Sequence, residues 1–139
     1  LERSLMGEVS KDTSILIVDD FSTMRRIIKN LLRDLGYNNT DDADDGDTGL
    51  KKLETGKFDF LITDWVMPKT TGSEFVRNVR EHPLLNNIPI LIVTGDIKRE
   101  IILDAAKCGI NDYLKKPFNS ELLLSRMERI YTRVSNTTG

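Results

Sequence analysis

Five side chains capable of chemistry stand at one kind of place in this sequence, the position where an apolar run stops. Asp19 and Asp20 follow Ser14-Ile-Leu-Ile-Val18, Asp64 ends the run from Phe58 to Thr63, Thr94 follows Ile88-Pro-Ile-Leu-Ile-Val93, and Lys116 follows Asp112-Tyr-Leu-Lys115. Three carboxylates gathered in one pocket repel, which either raises the pKa of one of them or recruits a cation. Hard oxygen ligands on loops suit Mg2+, which keeps several waters and completes its shell with substrate phosphate. A lysine and a threonine add a point charge and a hydroxyl, the donors that the oxygens of a transferred phosphoryl group need. In such a pocket Asp64 is the best nucleophile, because carboxylates form aspartyl-phosphates, and the adjacent Asp19 and Asp20 are placed to hold the metal and its waters. Each residue also has a structural alternative. Asp64 could serve a turn or cap the next helix, Asp19 or Asp20 could cap the first helix, and Thr94 the fourth.

Positioning these residues together requires a particular order of elements. Strands are expected at Ser14–Val18, at Asn38–Ala43 as a polar edge, at Phe58–Thr63, at Ile88–Val93 and at Asp112–Lys115. Between them fall helical patterns. Met24, Ile27, Ile28, Leu31, Leu32 and Leu35 mark a first helix stopped by Gly36, and Thr48 to Glu54 a second. Glu74 to Glu81 reads as a third, ended by His82-Pro83, and Arg99 to Lys107 as a fourth, capped by Gly109. Asn119 or Ser120 caps a last helix whose apolar set is Leu122, Leu123, Met127, Ile130, Tyr131 and Val134. Strands separated by single helices imply right-handed crossovers and a parallel sheet covered on both faces. Ligands then bind beyond the carboxyl ends of the strands, where the five residues should converge.

Composition limits the alternatives. A chain of 139 residues, 39% hydrophobic, fits one domain with one core. Twenty basic against 22 acidic residues give a net charge of −2, so no overall field favours nucleic acid. The single Cys108 excludes an internal disulfide and reads as a small packing residue in a reducing compartment. No stretch approaches a membrane span and no signal sequence opens the chain, so the expectation is a cytoplasmic protein without a membrane. Residues 1–13 read as a flexible arm, with those before Met6 an appended remnant, and 135–139 as a flexible tail around a domain at 14–134. Phosphate-binding glycine loops are missing. Asp41-Asp-Ala-Asp-Asp-Gly46 resembles a calcium loop, but Ala43 and Lys52 occupy ligand positions, which favours a solvated turn. Flavin phosphate after the first strand would meet two acids, and the sole histidine, beside a proline, is expected to be exposed.

Five motifs in order resemble the receiver domains of two-component signalling, and among them the single-domain chemotaxis regulators. They are Val18-Asp-Asp-Phe-Ser-Thr-Met-Arg-Arg26, Thr63-Asp-Trp65 with Met67-Pro68, Val93-Thr94, Tyr113, and Lys116-Pro-Phe118, within a match from about Ser14 to Arg133. The resemblance implies a single α/β domain, a flavodoxin-like, doubly wound five-stranded parallel sheet of order 2-1-3-4-5 with five helices. It implies a phosphoacceptor signalling protein rather than an enzyme, with Asp64 taking a phosphoryl group from a phosphohistidine of a histidine kinase. Mg2+ would be held by Asp20, Asp64 and the carbonyl of Val66, and by Asp19 through water. Lys116 would pair with the phosphate, Thr94 would move to hydrogen-bond it, and Tyr113 would follow inward. The output face would comprise the fourth helix, fifth strand and last helix of a monomer, engaging the flagellar motor switch, the kinase and a phosphatase. The alternative is a phosphate sink or competitor that never binds the motor.

Several residues bear on that output. Arg126, Arg129 and Arg133 recur as a basic stripe that either docks an acidic peptide or is a solvated face interrupted by Glu128. Ile97 and Lys115 depart from the family pattern where a partner helix would dock, and Gly95 stands where alanine is common. Trp65, the only tryptophan, offers a fluorescence reporter beside Asp64.

Overall fold

The computed structural model describes residues 9–67, 69–95 and 98–138, the last four by backbone alone. Strand and helix alternate through β1 (Ile15–Val18), α1 (Ser22–Asp34), β2 (Thr40–Ala43), α2 (Gly46–Leu53) and β3 (Phe60–Asp64). The series continues through α3 (Gly72–Glu81), β4 (Ile90–Thr94), α4 (Arg99–Cys108), β5 (Asp112–Lys115) and α5 (Ser120–Thr138). The strands form one sheet in the order β2-β1-β3-β4-β5, and every neighbouring pair is parallel. This is the doubly wound architecture expected from the alternation.

The two-residue period of a strand divides the core. Leu16, Val18, Leu61, Ile90 and Ile92 face one way, onto Leu53 of α2, Phe75, Val76 and Val79 of α3, and Ala105 of α4. Ile15, Ile17, Phe60, Ile62, Leu91 and Val93 face the other way, onto Ile28 and Leu32 of α1 and Leu123, Met127 and Ile130 of α5. Every residue of β1, β3 and β4 is buried, which explains their near-continuous apolar sequences. Burying each large apolar side chain contributes on the order of 1.5–3 kcal/mol, so the central strands form a stiff platform. β2 is an edge strand, and its acids are paired: Asp42 with Arg25 and Lys29, Asp41 with Lys52.

Local chemistry moves several boundaries. α2 starts at Gly46 because the Asp45 side chain accepts the Thr48 N–H, so the acidic run is a helix cap and a set of ion pairs. α3 starts at Gly72, capped by Thr71, whose hydroxyl accepts the Glu74 N–H. Gly72 donates its own N–H to the Trp65 carbonyl, and a Cβ there would lie 2.4 Å from that oxygen, so the return from β3 into α3 requires glycine. At the far end α5 is helical through Thr138, past the boundary at 134, and Asn119 caps it by accepting the Leu122 N–H.

Residues 1–8 of the expected arm lie outside the described residues, whereas Val9 to Thr13 packs against the domain. Val9 is buried and its carbonyl accepts from the Tyr37 hydroxyl at 2.8 Å. Lys11 donates to the Leu35 carbonyl and lies 4.4 Å from the centre of the Tyr37 ring. His82 is half-buried rather than exposed, 3.3 Å from Glu54, and its Nδ1 accepts the Leu84 N–H. Cys108 is a buried packing residue with Sγ 3.4 Å from the Ser73 hydroxyl.

Candidate functional site

Parallel register carries the sequence-predicted residues to one edge. Val18 pairs with Thr63 and Asp64 with Val93, so Asp19, Asp64 and Thr94 leave neighbouring strands at nearly the same height. Carboxylate oxygens of Asp19, Asp20 and Asp64 all lie within 4.8 Å of one another. Lys116 reaches across from the end of β5, with Nζ 3.0 Å from Asp19 Oδ2 and 3.4 Å from Asp64 Oδ2. Its backbone N–H donates to the Thr94 carbonyl at 2.9 Å, which ties the ends of β4 and β5 together. The Lys116–Pro117 peptide is cis.

Each acid is held differently. Asp19 is 1% exposed; its Oδ1 accepts the Phe21 N–H and its carbonyl accepts from Arg25. The cap position of α1 is Phe21, so neither Asp19 nor Asp20 is that cap, and Asp20 is left exposed toward the cluster. Asp64 is buried with Oδ1 accepting the Trp65 N–H at 2.8 Å, while Oδ2 faces the lysine. Burial disfavours its charged form; Lys116 opposes that effect and Asp19 adds to it, leaving the Asp64 pKa above the ordinary aspartate value. A cluster of oxygen ligands whose central member resists ionising suits a hard divalent cation, since the ion removes both the repulsion and the burial penalty.

The remaining predicted residues fall around this cluster. Thr94 is buried at the end of β4 and is not the cap of α4, which begins after Lys98. Val66 is exposed two residues beyond Asp64, and Tyr113 is exposed on β5 opposite Ile92. Trp65 turns its side chain into the α2–α4 side of the core, within reach of changes at Asp64 through their shared hydrogen bond. Gly95 is exposed with open space where a Cβ would lie, and Ile97 and Pro68 lie outside the described residues. Beside Asp20, a recess of about 270 Å³ is lined by Asp44, Asp45 and Lys69, so the cluster opens to solvent.

The arginines of the basic stripe are engaged within the domain, although Arg129 and Arg133 remain exposed to solvent. Arg129 makes a bidentate pair with Asp112 at 2.6 and 2.8 Å, Arg133 lies 3.5 Å from the same carboxylate, and Arg126 donates to the Tyr113 carbonyl. The signal for this was available in the strand alternation, which puts Asp112 on the inner side with Leu114, where an acid needs a base.

A five-stranded parallel sheet with an acid cluster, a threonine and a lysine at its carboxyl edge defines a receiver domain, and residues 15–128 match the model of the response regulator receiver domain; the chain belongs to that family. Its relatives narrow the class. Chemotaxis protein CheY of Pseudomonas aeruginosa is 55% identical over 121 residues, covering 87% of this chain and 98% of that protein. Chemotaxis protein CheY-3 of Vibrio cholerae is 50% identical over 126 residues, covering 91% and 97%. The crystal structure of Vibrio cholerae CheY4 aligns with a TM-score of 0.81 at 35% identity, over 86% of this chain and 98% of that one. The receiver domain of a Pseudomonas aeruginosa sensor histidine kinase, solved with magnesium in its active-site cleft, aligns at 0.79 and 27% identity, over 86% and 98%.

Proposed function

We propose that this CheY-like receiver domain is a phosphoacceptor switch whose acceptor is Asp64. Asp20, Asp64 and the Val66 carbonyl would hold Mg2+, with Asp19 acting through water. When bound, the ion supplies positive charge for the phosphoryl oxygens and for the crowded acids. In the transfer, a carboxylate oxygen of Asp64 attacks phosphorus as the bond to the donor histidine nitrogen breaks, and that nitrogen keeps the electron pair. Oδ2 is the freer oxygen, since Oδ1 accepts the Trp65 N–H. Lys116 then exchanges its contacts with Asp19 and Asp64 for a phosphoryl oxygen, and Thr94 donates its hydroxyl to another. Tyr113 follows inward, altering the face formed by α4, β5 and α5. Hydrolysis of the aspartyl-phosphate returns the resting state.

The observation that carries this reading is the convergence of three carboxylates within 4.8 Å with one ammonium bridging two of them. The partners that fit are a chemotaxis histidine kinase, the flagellar motor switch and a phosphatase, met by a cytoplasmic monomer. Binding of a motor-switch peptide, measured with and without beryllium fluoride and Mg2+, tests the output. The expected result is tighter binding with the phosphoryl mimic, by about tenfold or more, the usual scale of such coupling. Equal binding in both states would overturn motor control and leave a phosphate sink.

A further inference from the structure

The arginines of α5 are spent on the strand that carries both Tyr113 and the approach to Lys116. β5 is an edge strand of four residues that, among the described residues, pairs only with β4. On its other flank no described strand forms a ladder with it, and side chains hold it there instead. Asp112 is buried, and Arg129 grips both of its oxygens. Asp112 Oδ1 also accepts the Tyr113 N–H at 2.9 Å, and the Tyr113 carbonyl accepts from Arg126 at 3.2 Å. Both backbone polar groups of Tyr113 are therefore engaged by charged side chains, the N–H by Asp112, which Arg129 holds, and the carbonyl by Arg126 of the same helix. The pairing strengthens the hold of Arg129 on its proton: the hydrogen bonds it donates to Asp112 raise the guanidinium pKa.

We propose that the Asp112–Arg129 pair is a positioning element of the switch, pinning the β5 main chain at Tyr113 to α5. Movement of the Tyr113 ring is then a rotation about a fixed backbone, and α5 registers the state of the site. A bidentate pair on a buried carboxylate has the geometry for this because it resists sliding as well as separation. Arg133, 3.5 Å from the same carboxylate, reinforces the hold. The inference rests on the phosphoacceptor reading above.

The test uses the full chain labelled with fluorotyrosine, the Tyr113 resonance being identified by its loss in Tyr113→Phe. Beryllium fluoride with Mg2+ is the probe, and Trp65 fluorescence reports its uptake at the site. The double variant Asp112→Asn/Arg129→Gln removes both charges together, so no buried charge is left unpaired and the fold is retained. Expected for the wild type is probe uptake with a shift of the Tyr113 resonance. In the double variant, uptake stays within about twofold while the Tyr113 shift falls below about half, since a coupling is lost rather than a site. Arg129→Lys, which keeps the charge without the fork, restores part of the shift. A full wild-type shift in the double variant overturns the proposal, as does a loss of uptake by about tenfold, which would place the pair in service of the site itself. Failure of the wild type to take up the probe would instead defeat the phosphoacceptor reading, and this proposal with it.

Discussion

The two ends of the sheet draw on the same kinds of polar residue and use them in opposite ways. At the amino end Arg80 is surrounded by acceptors: it donates to the carbonyls of Gly109, Asn86 and Ile88 and to the Asn111 side chain, which in turn accepts the Ile90 N–H. Ser14 N–H meets Asp59, and Tyr37 meets Val9. At the carboxyl end three acids crowd around one lysine. One end satisfies its polar groups and holds the fold; the other leaves a charge conflict that a divalent cation can resolve. The central strands, buried on both faces, let the second end be unfavourable because they are anchored at the first.

Substitutions at the satisfied end should cost most. Arg80→Ala orphans several acceptors and is expected to destabilise by about 2–4 kcal/mol, read as a fall of roughly 5–15 °C in Tm. The folded fraction should still be labelled by acetyl phosphate at the wild-type rate. A loss of labelling without a loss of stability would erase the contrast between the ends.

Asp64→Asn should act in the opposite sense. Folding raises the Asp64 pKa, so the native state holds that proton to higher pH than the unfolded chain. The group therefore favours folding below the ordinary aspartate value, and that contribution is lost as pH rises through the raised value. At neutral pH the ionised side chain is a cost that Asn removes. Urea midpoints without metal should be higher for Asp64→Asn at pH 7, with the gain shrinking as pH falls through the Asp64 pKa. Mg2+ affinity of the wild type, followed by Trp65 fluorescence, should weaken over the same range because protons compete for the ligand. A gain independent of pH would show that the conflict lies elsewhere.

The smallest effect is expected at the solvent-exposed margin of the amino end. Glu54→Gln removes the pairing with His82 across the carboxyl termini of α2 and α3, where Glu54 is half-exposed. The change should stay within about 0.5 kcal/mol and leave Mg2+ binding untouched.

Much of this contrast was legible in the sequence, though unevenly. Asp19, Asp64, Thr94 and Lys116 announce themselves because each interrupts or follows an apolar strand, and parallel topology does the rest. The polar edge strand β2 was legible for the same reason, as a strand too acidic to be central. Arg80 gave no such signal, since an arginine in the last turn of a helix is ordinary, and its partners at Ile88, Gly109 and Asn111 are joined to it only by the fold. Val9 to Thr13 has no period because its contacts are isolated and reach residues distant in sequence, one carbonyl to Tyr37 and one ammonium to Leu35. The basic stripe on α5 was visible, but its direction was not: helical spacing places three arginines on one side without saying that a buried aspartate waits there.

The central claim is that the carboxyl end of the sheet keeps Asp64 as a phosphoryl acceptor, and intact-mass analysis after acetyl phosphate with Mg2+ tests it most directly. The account predicts a single phosphoryl adduct, mapped to Asp64, that disappears in Asp64→Asn and when Mg2+ is chelated. An adduct that persists in Asp64→Asn, or that maps to another residue, would contradict it.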